Sequence, residues 1–140
     1  MRLTEKAART RLASAPVVRL GTVCSDGRPH VVVTAFVLDD DHIYTAVDQK
    51  PKTTRDLKRL RNIRANPRVT ALADWYEDDW SALWWVRADG RASILDRARD
   101  MADPIRLLMD RYPQYRQAPP DGPVIAITID RLTGWTAGEA

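Results

Sequence analysis

Short runs of β-branched and apolar residues dominate the first third of the chain. Three of them, residues 17–23 (VVRLGTV), 30–38 (HVVVTAFVL) and 42–47 (HIYTAV), have the composition and length of strands. Ser25-Asp26-Gly27 separates the first two runs, and three aspartates at 39–41 separate the second from the third. Three successive strands joined by such short turns predict an antiparallel meander.

The second half of the chain contains further runs of this kind. Residues 68–75 (RVTALADW) predict a fourth strand, and an Asp89-Gly90 turn between residues 81–88 and 91–95 predicts a hairpin. Residues 124–130 (VIAITID) predict the last strand, which Gly134 and Trp135 can extend. The sequence therefore predicts six or seven strands.

Three short helices are predicted, one before the first strand and two between strands. The first runs from Thr4, a capping residue, to about Ala13, and the second from Thr53 or Thr54 to about Ala65. The third begins at Asp103 and Pro104 and ends at Tyr112, and the proline-rich residues 113–123 are predicted to form a loop.

The order of these elements favours a mainly β (α+β) protein whose antiparallel strands close into a barrel. A length of 140 residues fits one domain, so residues 1–140 are predicted to fold as a single unit.

Composition places this domain in a reducing, aqueous compartment. The single cysteine, Cys24, cannot form an internal disulfide, and its simplest interpretation is a small buried hydrophobic residue. The N-terminus is charged throughout, and the longest apolar stretch is far shorter than the roughly 20 residues of a membrane helix. We expect a cytoplasmic protein that does not associate with membranes.

Side chains that carry out chemistry directly are scarce. Two histidines, His30 and His42, and one cysteine have no spacing typical of a metal site. The serines lie in no nucleophile motif, so no catalytic side chain is assigned. If the protein is an enzyme, a cofactor is expected to supply the reactive chemistry.

Positive charge is concentrated between residues 50 and 68. This stretch holds eight basic residues and one acid, a net charge of +7, whereas the whole chain carries +3. Such a local charge predicts an anionic partner: a phosphate-bearing small molecule, an acidic tail on a cofactor, or nucleic acid. Nucleic acid is disfavoured because the chain has no recognition-helix motif and its remainder is acidic.

Within this stretch, residues 49–57 (QKPKTTRDL) suit a phosphate monoester. Lys50 and Lys52 are two apart in an extended segment and project to the same side, and Pro51 between them stiffens the backbone. A helix predicted to begin directly afterwards would add free amide groups, with Arg55 in its first turn. The alternative is a solvated basic helix start.

The order of motifs resembles the pyridoxamine-phosphate-oxidase-like split-barrel family, and most closely its actinobacterial branch that uses the deazaflavin coenzyme F-420. The resemblance covers most of residues 18–95. It rests on LGTVCSDGRPHVVVTAFVL, on the K-P-K segment, on a helix ending in ANPRV, and on WSALWWVRADGRASIL. It implies a split β-barrel of the flavin-reductase or FMN-binding kind and an F-420-dependent oxidoreductase.

The resemblance also implies cofactor-binding residues in three segments. The cofactor phosphate would be held by the basic segment, and the ring would lie against the second and third strands. The implied residues are Lys50, Lys52, Thr53 and Arg55 for the phosphate, and Val32, Val33, Thr34, Thr45, Ala46 and Val47 for the ring.

One departure from the family distinguishes F-420 from FMN. FMN oxidases of the family have an arginine in the second strand that helps bind the FMN phosphate, whereas this sequence has valines at 31–33. The basic helix would suit the oligoglutamate tail of F-420. We therefore expect hydride transfer from reduced F-420 to a small unsaturated or carbonyl-like acceptor. An FMN-dependent oxidoreductase and a non-catalytic flavin or haem carrier remain as alternatives.

The tryptophans predict an interface. Trp75, Trp80, Trp84 and Trp85 fall within eleven residues, and neighbours on a strand point to opposite faces, so Trp84 and Trp85 cannot share a pocket. One interpretation is that these four tryptophans pack in the core and between subunits. In the resembling family the cofactor lies between two subunits, so a homodimer is expected in which Trp75, Trp80 or Trp85 could wall the partner's ring.

Overall fold

The computed structural model of the chain describes residues 1–47 and 57–138. Within these residues the chain forms one antiparallel sheet of seven strands, together with four α-helices and a 3-10 turn at Trp80–Ala82. The strands are β1 (Val18–Val23), β2 (Pro29–Thr34), β3 (Val37–Asp39), β4 (His42–Ala46), β5 (Arg68–Trp75), β6 (Trp84–Leu95) and β7 (Val124–Thr136). The helices are α1 (Glu5–Ser14), α2 (Lys58–Ala65), α3 (Ala98–Arg111) and α4 (Pro113–Gln117). The predicted mainly β fold is confirmed.

The strand order is β2-β1-β5-β6-β7-β4-β3, and every neighbouring pair is antiparallel. Successive residues of β1 and β5 alternate between buried and half-buried, because one face of the sheet points to the core and the other away from it. Leu20, Ala71 and Val86 lie on the inner face, where they pack around the fully buried Phe36.

Helix α1 covers one end of this core. Thr4 caps it as predicted, since its hydroxyl accepts a hydrogen bond from the Ala7 amide at 3.1 Å. Leu12, fully buried, anchors the helix, and burial of such a side chain stabilises by about 1.5–3 kcal/mol.

The predicted meander of the first three strands is wrong. The run at residues 30–38 is interrupted at Ala35 and Phe36, so it forms β2 and β3, which lie at opposite ends of the strand order. Strand β2 pairs with β1, whereas β3 pairs with β4. Phe36 is the reason for the break, because its ring turns into the core where the chain crosses from one sheet edge to the other.

The predicted hairpin at Asp89-Gly90 is also wrong. Residues 84–95 form the single strand β6, which pairs with β7 along its whole length and has a register shift at these two residues. A side chain at Gly90 would place its Cβ 2.2 Å from the carbonyl oxygen of Thr128 on β7. The glycine therefore permits a bulge with a close backbone approach, not a turn.

Helix boundaries differ from the sequence-based expectation at three places. Helix α2 begins at Lys58, and Leu57 before it is extended. The predicted start at Thr53 or Thr54 lies outside the described residues. Helix α3 begins at Ala98, and Pro104 lies inside it rather than at its start. Residues 113–117, predicted as loop, form α4.

Pro104 is tolerated because the apolar face of α3 outweighs one lost backbone hydrogen bond. Met101, Ile105 and Leu108 are spaced for one helical face, and they pack on the side of the sheet that holds Ala46 and Val124, while Pro104 is itself buried. The sequence signal of an N-terminal proline therefore placed the start of α3 too late.

The bulge predicts that an added methyl group destabilises the protein more at Gly90 than at Gly21. Gly90→Ala is expected to lower the free energy of unfolding by about 1–3 kcal/mol, because its Cβ has no room beside β7. Gly21→Ala is the control: its Cβ would meet only the Thr70 carbonyl oxygen at 3.6 Å, an ordinary contact. Urea denaturation of both variants measures the difference, and equal stability would contradict the tight approach at Gly90.

Candidate functional site

The sheet curls until its two ends meet, and this closure forms the site. Strands β2 and β4 are separated by four strands in the order, yet the hydroxyl oxygens of Thr34 and Thr45 lie 2.5 Å apart. The Thr34 hydroxyl also lies 3.1 Å from the Ala35 carbonyl oxygen, to which it donates. The pair of threonines therefore joins the two ends of a half-barrel.

Helix α3 ends against this closure and fixes two loops. The Tyr112 hydroxyl accepts a hydrogen bond from the Phe36 amide at 3.0 Å, and the carbonyl oxygens of Phe36 and Pro16 lie 2.8 and 3.1 Å from it. The Arg111 guanidinium donates to the Ala15 carbonyl and stacks 5.2 Å from the Tyr112 ring. Both connections, α1 to β1 and β2 to β3, are thereby held to the end of α3.

A cavity of about 820 Å³ lies between these elements. Strand β2 and the residues after it form one wall, the end of α3 and the start of α4 form another, and α2 and β4 complete the lining. The lining residues are Pro16, Val17, Val32, Val33, Thr34, Ala35, Ala46, Arg59, Arg111, Tyr112, Pro113, Gln114 and Tyr115.

The described lining is positively charged. It contains Arg59 and Arg111 and no acidic residue. The Nε of Arg111 is buried without an acceptor among the described residues, so this guanidinium has donor capacity that the described protein atoms leave unused. A flat, anionic ligand fits a cavity with arginines, two tyrosines and aliphatic strand residues.

Four of the residues predicted to meet a cofactor ring lie together on this lining: Val32, Val33, Thr34 and Ala46. Thr45 is buried behind them and reaches the cavity only through its contact with Thr34. Val47 is fully buried, and its amide donates to the Pro123 carbonyl at 3.0 Å, so it packs in the core and does not line the cavity. The predicted phosphate residues Lys50, Lys52, Thr53 and Arg55 lie outside the described residues.

Trp75 and Trp85 do not line the cavity of their own chain. Trp84 packs against the main core, whereas Trp85 points away from it, with the Arg87 guanidinium 5.3 Å from its ring. Trp75, at the end of β5, is 53% exposed. The alternation predicted for Trp84 and Trp85 is present, and a cofactor role for Trp75 or Trp85 would need a second subunit.

Sequence reasoning missed the wall contributed by α3 and α4. All three residues come 65 or more residues after β4: Arg111 and Tyr112 end the predicted third helix, and Tyr115 lies in the segment whose prolines predicted a loop. An available signal was the Arg-Tyr pair directly before Pro113, because polar aromatic residues at a helix end are well placed to bridge loops.

The two histidines and the cysteine lie away from the cavity. His42 stacks on Tyr44 with ring centroids 5.8 Å apart, and His30 lies on β2 outside the lining. Buried Cys24 lies 3.6 Å from the side-chain amide of Asn62. Across residues 1–47 and 57–138, no cluster of three or more His, Cys, Asp or Glu could hold a metal ion. In the same residues, no helix has the length and apolarity needed to cross a bilayer.

A curled antiparallel sheet with a cavity at its closing edge defines a split-barrel protein. Residues 4–136 match the family model of pyridoxamine 5'-phosphate oxidase, and the chain belongs to this family. This membership confirms the family part of the resemblance on which the site residues were predicted.

Solved structures share the fold at low sequence identity. An FAD-binding protein from Mesorhizobium loti has a TM-score of 0.71 and 23% identity over 96% of this chain and 95% of its own. An FAD-binding protein from Mycobacterium smegmatis has a TM-score of 0.67 and 17% identity over 96% and 98%. The haem storage protein HutZ from Vibrio cholerae has a TM-score of 0.72 and 19% identity over 97% and 95%. No curated protein matches the sequence.

The Tyr112 hydroxyl is expected to stabilise the site. Tyr112→Phe removes the acceptor of the Phe36 amide, which lies in a fully buried residue, so the free energy of unfolding should fall by about 1–3 kcal/mol. Chemical denaturation measures the loss. Tyr76→Phe, at a tyrosine that is 61% exposed, is the control and should change nothing. Equal stability of the two variants would show that water replaces the hydroxyl.

Proposed function

We propose that this protein is an oxidoreductase that binds a deazaflavin or flavin cofactor in the cavity between β2, α2 and the end of α3. The preferred cofactor is coenzyme F-420, and the acceptor is a small unsaturated or carbonyl-like organic molecule. The observation that carries the proposal is the meeting of Val32, Val33, Thr34 and Ala46 on one cavity whose described lining includes two arginines and no acid.

The strand residues suit a flat ring. Val32, Thr34 and Ala46 are small, so a planar tricycle can lie close to the backbone of β2 and β4. The Thr34–Thr45 contact fixes the distance between these two strands. A rigid wall of this kind excludes water and orients the ring toward the open side of the cavity.

The reactive chemistry belongs to the cofactor. When bound, reduced F-420 supplies the hydride, and solvent supplies the proton that completes reduction of the acceptor. Arg59 and Arg111 supply positive charge for an anionic group, and the rings of Tyr112 and Tyr115 close the wall opposite β2. No described side chain needs to act covalently.

Two features favour F-420 over FMN. Strand β2 has valines at 31–33, where FMN oxidases of the family have an arginine. Residues 57–68 carry five basic residues and no acid, which suits an oligoglutamate tail. An FMN-dependent oxidoreductase of the same fold is the alternative enzyme.

A non-catalytic carrier is the second candidate. It is favoured by the structural similarity to a haem storage protein. Against haem, both histidines and the cysteine lie in the described residues, and none of them lines the cavity. A flavin carrier needs no such ligand, and turnover separates it from an enzyme.

We further propose a homodimer in the cytoplasm. A half-barrel leaves the outer face of its sheet uncovered, and Val31 on that face is 61% exposed. Burial of such residues in an interface is favourable. Trp75 and Trp85, which cannot reach the cavity of their own chain, would then be available to the partner's cofactor.

Titration with F-420 and with FMN tests the cofactor and its phosphate site. Lys50→Ala and Lys52→Ala should each weaken binding by about 1–3 kcal/mol, the scale of a charge-assisted hydrogen bond. Lys6→Ala, at an exposed lysine on α1, is the control and should bind as the original protein does. Fluorescence of the cofactor measures the binding affinity of the original protein and of the three variants.

Tight binding of FMN without binding of F-420 would contradict the preferred cofactor. Unchanged affinity in both lysine variants would contradict the phosphate site. Oxidation of reduced F-420 by a panel of enones and carbonyl compounds, followed by the change in its absorbance, would show catalysis. Cofactor binding without such turnover would support the non-catalytic carrier instead.

A further inference from the structure

The two arginines on the cavity lining come from different elements and approach the cavity from different sides. Arg59 lies on α2, which packs on β1 and β6, whereas Arg111 ends α3, which packs on β3, β4 and β7. Arg59 follows closely in sequence the basic segment proposed to hold the cofactor phosphate. Arg111 lies instead on the wall opposite β2. The two positive charges can therefore serve two different anionic groups.

The Arg111 guanidinium is held in place by neutral groups. It donates a hydrogen bond to the Ala15 carbonyl oxygen, and its central carbon lies 5.2 Å from the centre of the Tyr112 ring. Its Nε is buried. By contrast, Arg19 and Arg91 each form an ion pair of 2.9 Å with an aspartate. Within the described residues Arg111 forms no ion pair, so its partly buried charge is oriented but not neutralised.

The neighbouring tyrosine has little capacity left for a ligand. The Tyr112 hydroxyl lies 3.0 Å from the Phe36 amide, and 2.8 and 3.1 Å from the carbonyl oxygens of Phe36 and Pro16. A hydroxyl has one proton and two lone pairs, and these contacts use most of them. Arg111 is therefore the group at the end of α3 that can bind the polar atoms of a ligand.

A second arginine removes an obstacle to an anion at this position. The C-terminus of a helix carries partial negative charge, which would oppose an anion beside the end of α3. The Nη1 of Arg116, on α4, lies 2.9 and 3.2 Å from the carbonyl oxygens of Met109 and Asp110. Two of the last carbonyl groups of α3 are thus covered by a positive charge, and an anion on Arg111 is not repelled by them.

The space next to Arg111 belongs to the acceptor. The proposed ring lies against β2 and β4, so its exposed face looks toward the wall that holds Arg111. The cavity of about 820 Å³ has room for a ring and a second small molecule, since whole drug-sized ligands occupy clefts of about 300–1,000 Å³. We propose that Arg111 binds a carboxylate of the acceptor, which makes the acceptor a conjugated carbonyl compound with a carboxylate substituent. This inference rests on the proposed function and names the class of its substrate.

The shape of this wall favours a flat carboxylate over a compact anion. The rings of Tyr112 and Tyr115 meet edge to face beside Arg111, with centroids 5.5 Å apart. Aromatic surfaces of this kind pack against conjugated ligands, and a planar guanidinium matches the planar fork of a carboxylate. A conjugated acid satisfies both features of the wall at once.

Reduction of such an acceptor leaves its carboxylate unchanged. The hydride supplied by reduced F-420, which carries two electrons, adds to the β carbon of the carbon–carbon double bond, and a proton from solvent adds to the α carbon. The double bond becomes a single bond, and the carboxylate has the same charge before and after. Arg111 therefore binds the ground state and the transition state equally, so it sets KM rather than kcat.

Binding of a matched acid and ester tests this role. The probes are the enone para-carboxybenzylideneacetone and its methyl ester, titrated calorimetrically into the protein loaded with oxidised F-420, where no turnover occurs. The acid should bind at least about tenfold more tightly than the ester, and Arg111→Gln should reduce this ratio to about one. Arg106→Gln is the control, because it removes the same charge from an exposed position of α3 outside the lining and should keep the ratio.

Steady-state kinetics gives a second readout. In Arg111→Gln the KM of the acid should rise about tenfold, while its kcat and both constants of the ester stay unchanged. Arg111→Lys keeps the charge without the planar fork, so it should keep part of the preference for the acid, and it replaces Arg111→Gln if that variant does not fold. Because the ratio compares two ligands on one protein, a fraction of unfolded protein does not alter it.

The outcomes separate this inference from the proposed function. Equal affinity of the acid and the ester for the original protein overturns the inference. An unchanged ratio in Arg111→Gln also overturns it, and weaker binding of F-420 in that variant would then assign Arg111 to the cofactor. Failure of the original protein to bind F-420 and FMN overturns the proposed function. In that case the acid-to-ester ratio of the protein without cofactor decides the role of Arg111 by itself.

Discussion

The long pairing of β6 with β7 is the interaction on which the rest of the structure depends. It joins Trp84–Leu95 to Val124–Thr136 and contains the bulge at Asp89 and Gly90. A bulge bends the strand and increases its twist. With this bend the sheet curls far enough for Thr34 and Thr45 to touch, and without that contact the cavity between β2, β4 and the end of α3 would have no closed wall.

Local patterns predicted the strands well and their partners poorly. The alternation of apolar and polar residues located β1, β4 and β5, because these strands bury mainly one face, and a short apolar run located the start of β7, where four successive residues are buried. It could not show that β2 and β3 separate at Phe36, because the apolar run at residues 30–38 is compatible with one long strand or with two short ones. The Asp-Gly pair at 89–90 is chemically suited to a turn and to a bulge alike, and only the approach of Thr128, 38 residues after Gly90, distinguishes them.

The candidate site likewise has one side that the sequence predicted and one that it did not. The side of the cavity formed by β2 and β4 was predicted by the resemblance, which assigned Val32, Val33, Thr34 and Ala46 from their order along the chain. The opposite side, with Arg111 and Tyr112, depends on where α3 ends in space. No periodicity in residues 98–112 indicates that Tyr112 will meet Phe36 and Pro16, because those contacts join segments 76 and 96 residues apart. Thr45 and Val47, which the resemblance also assigns to the ring, are buried and do not line the cavity.

Strand β2 links the proposed cofactor site to the proposed interface. It is an edge strand of the sheet, and its side chains alternate between two environments. Val32 and Thr34 line the cavity, whereas Val31 faces the outer surface beside Gly21. Covering that surface with a second copy would restrict the motion of the edge strand that forms a wall of the cavity. Cofactor binding and dimerisation should therefore favour each other, because both order the same six residues and the second event does not repeat the entropic cost of the first.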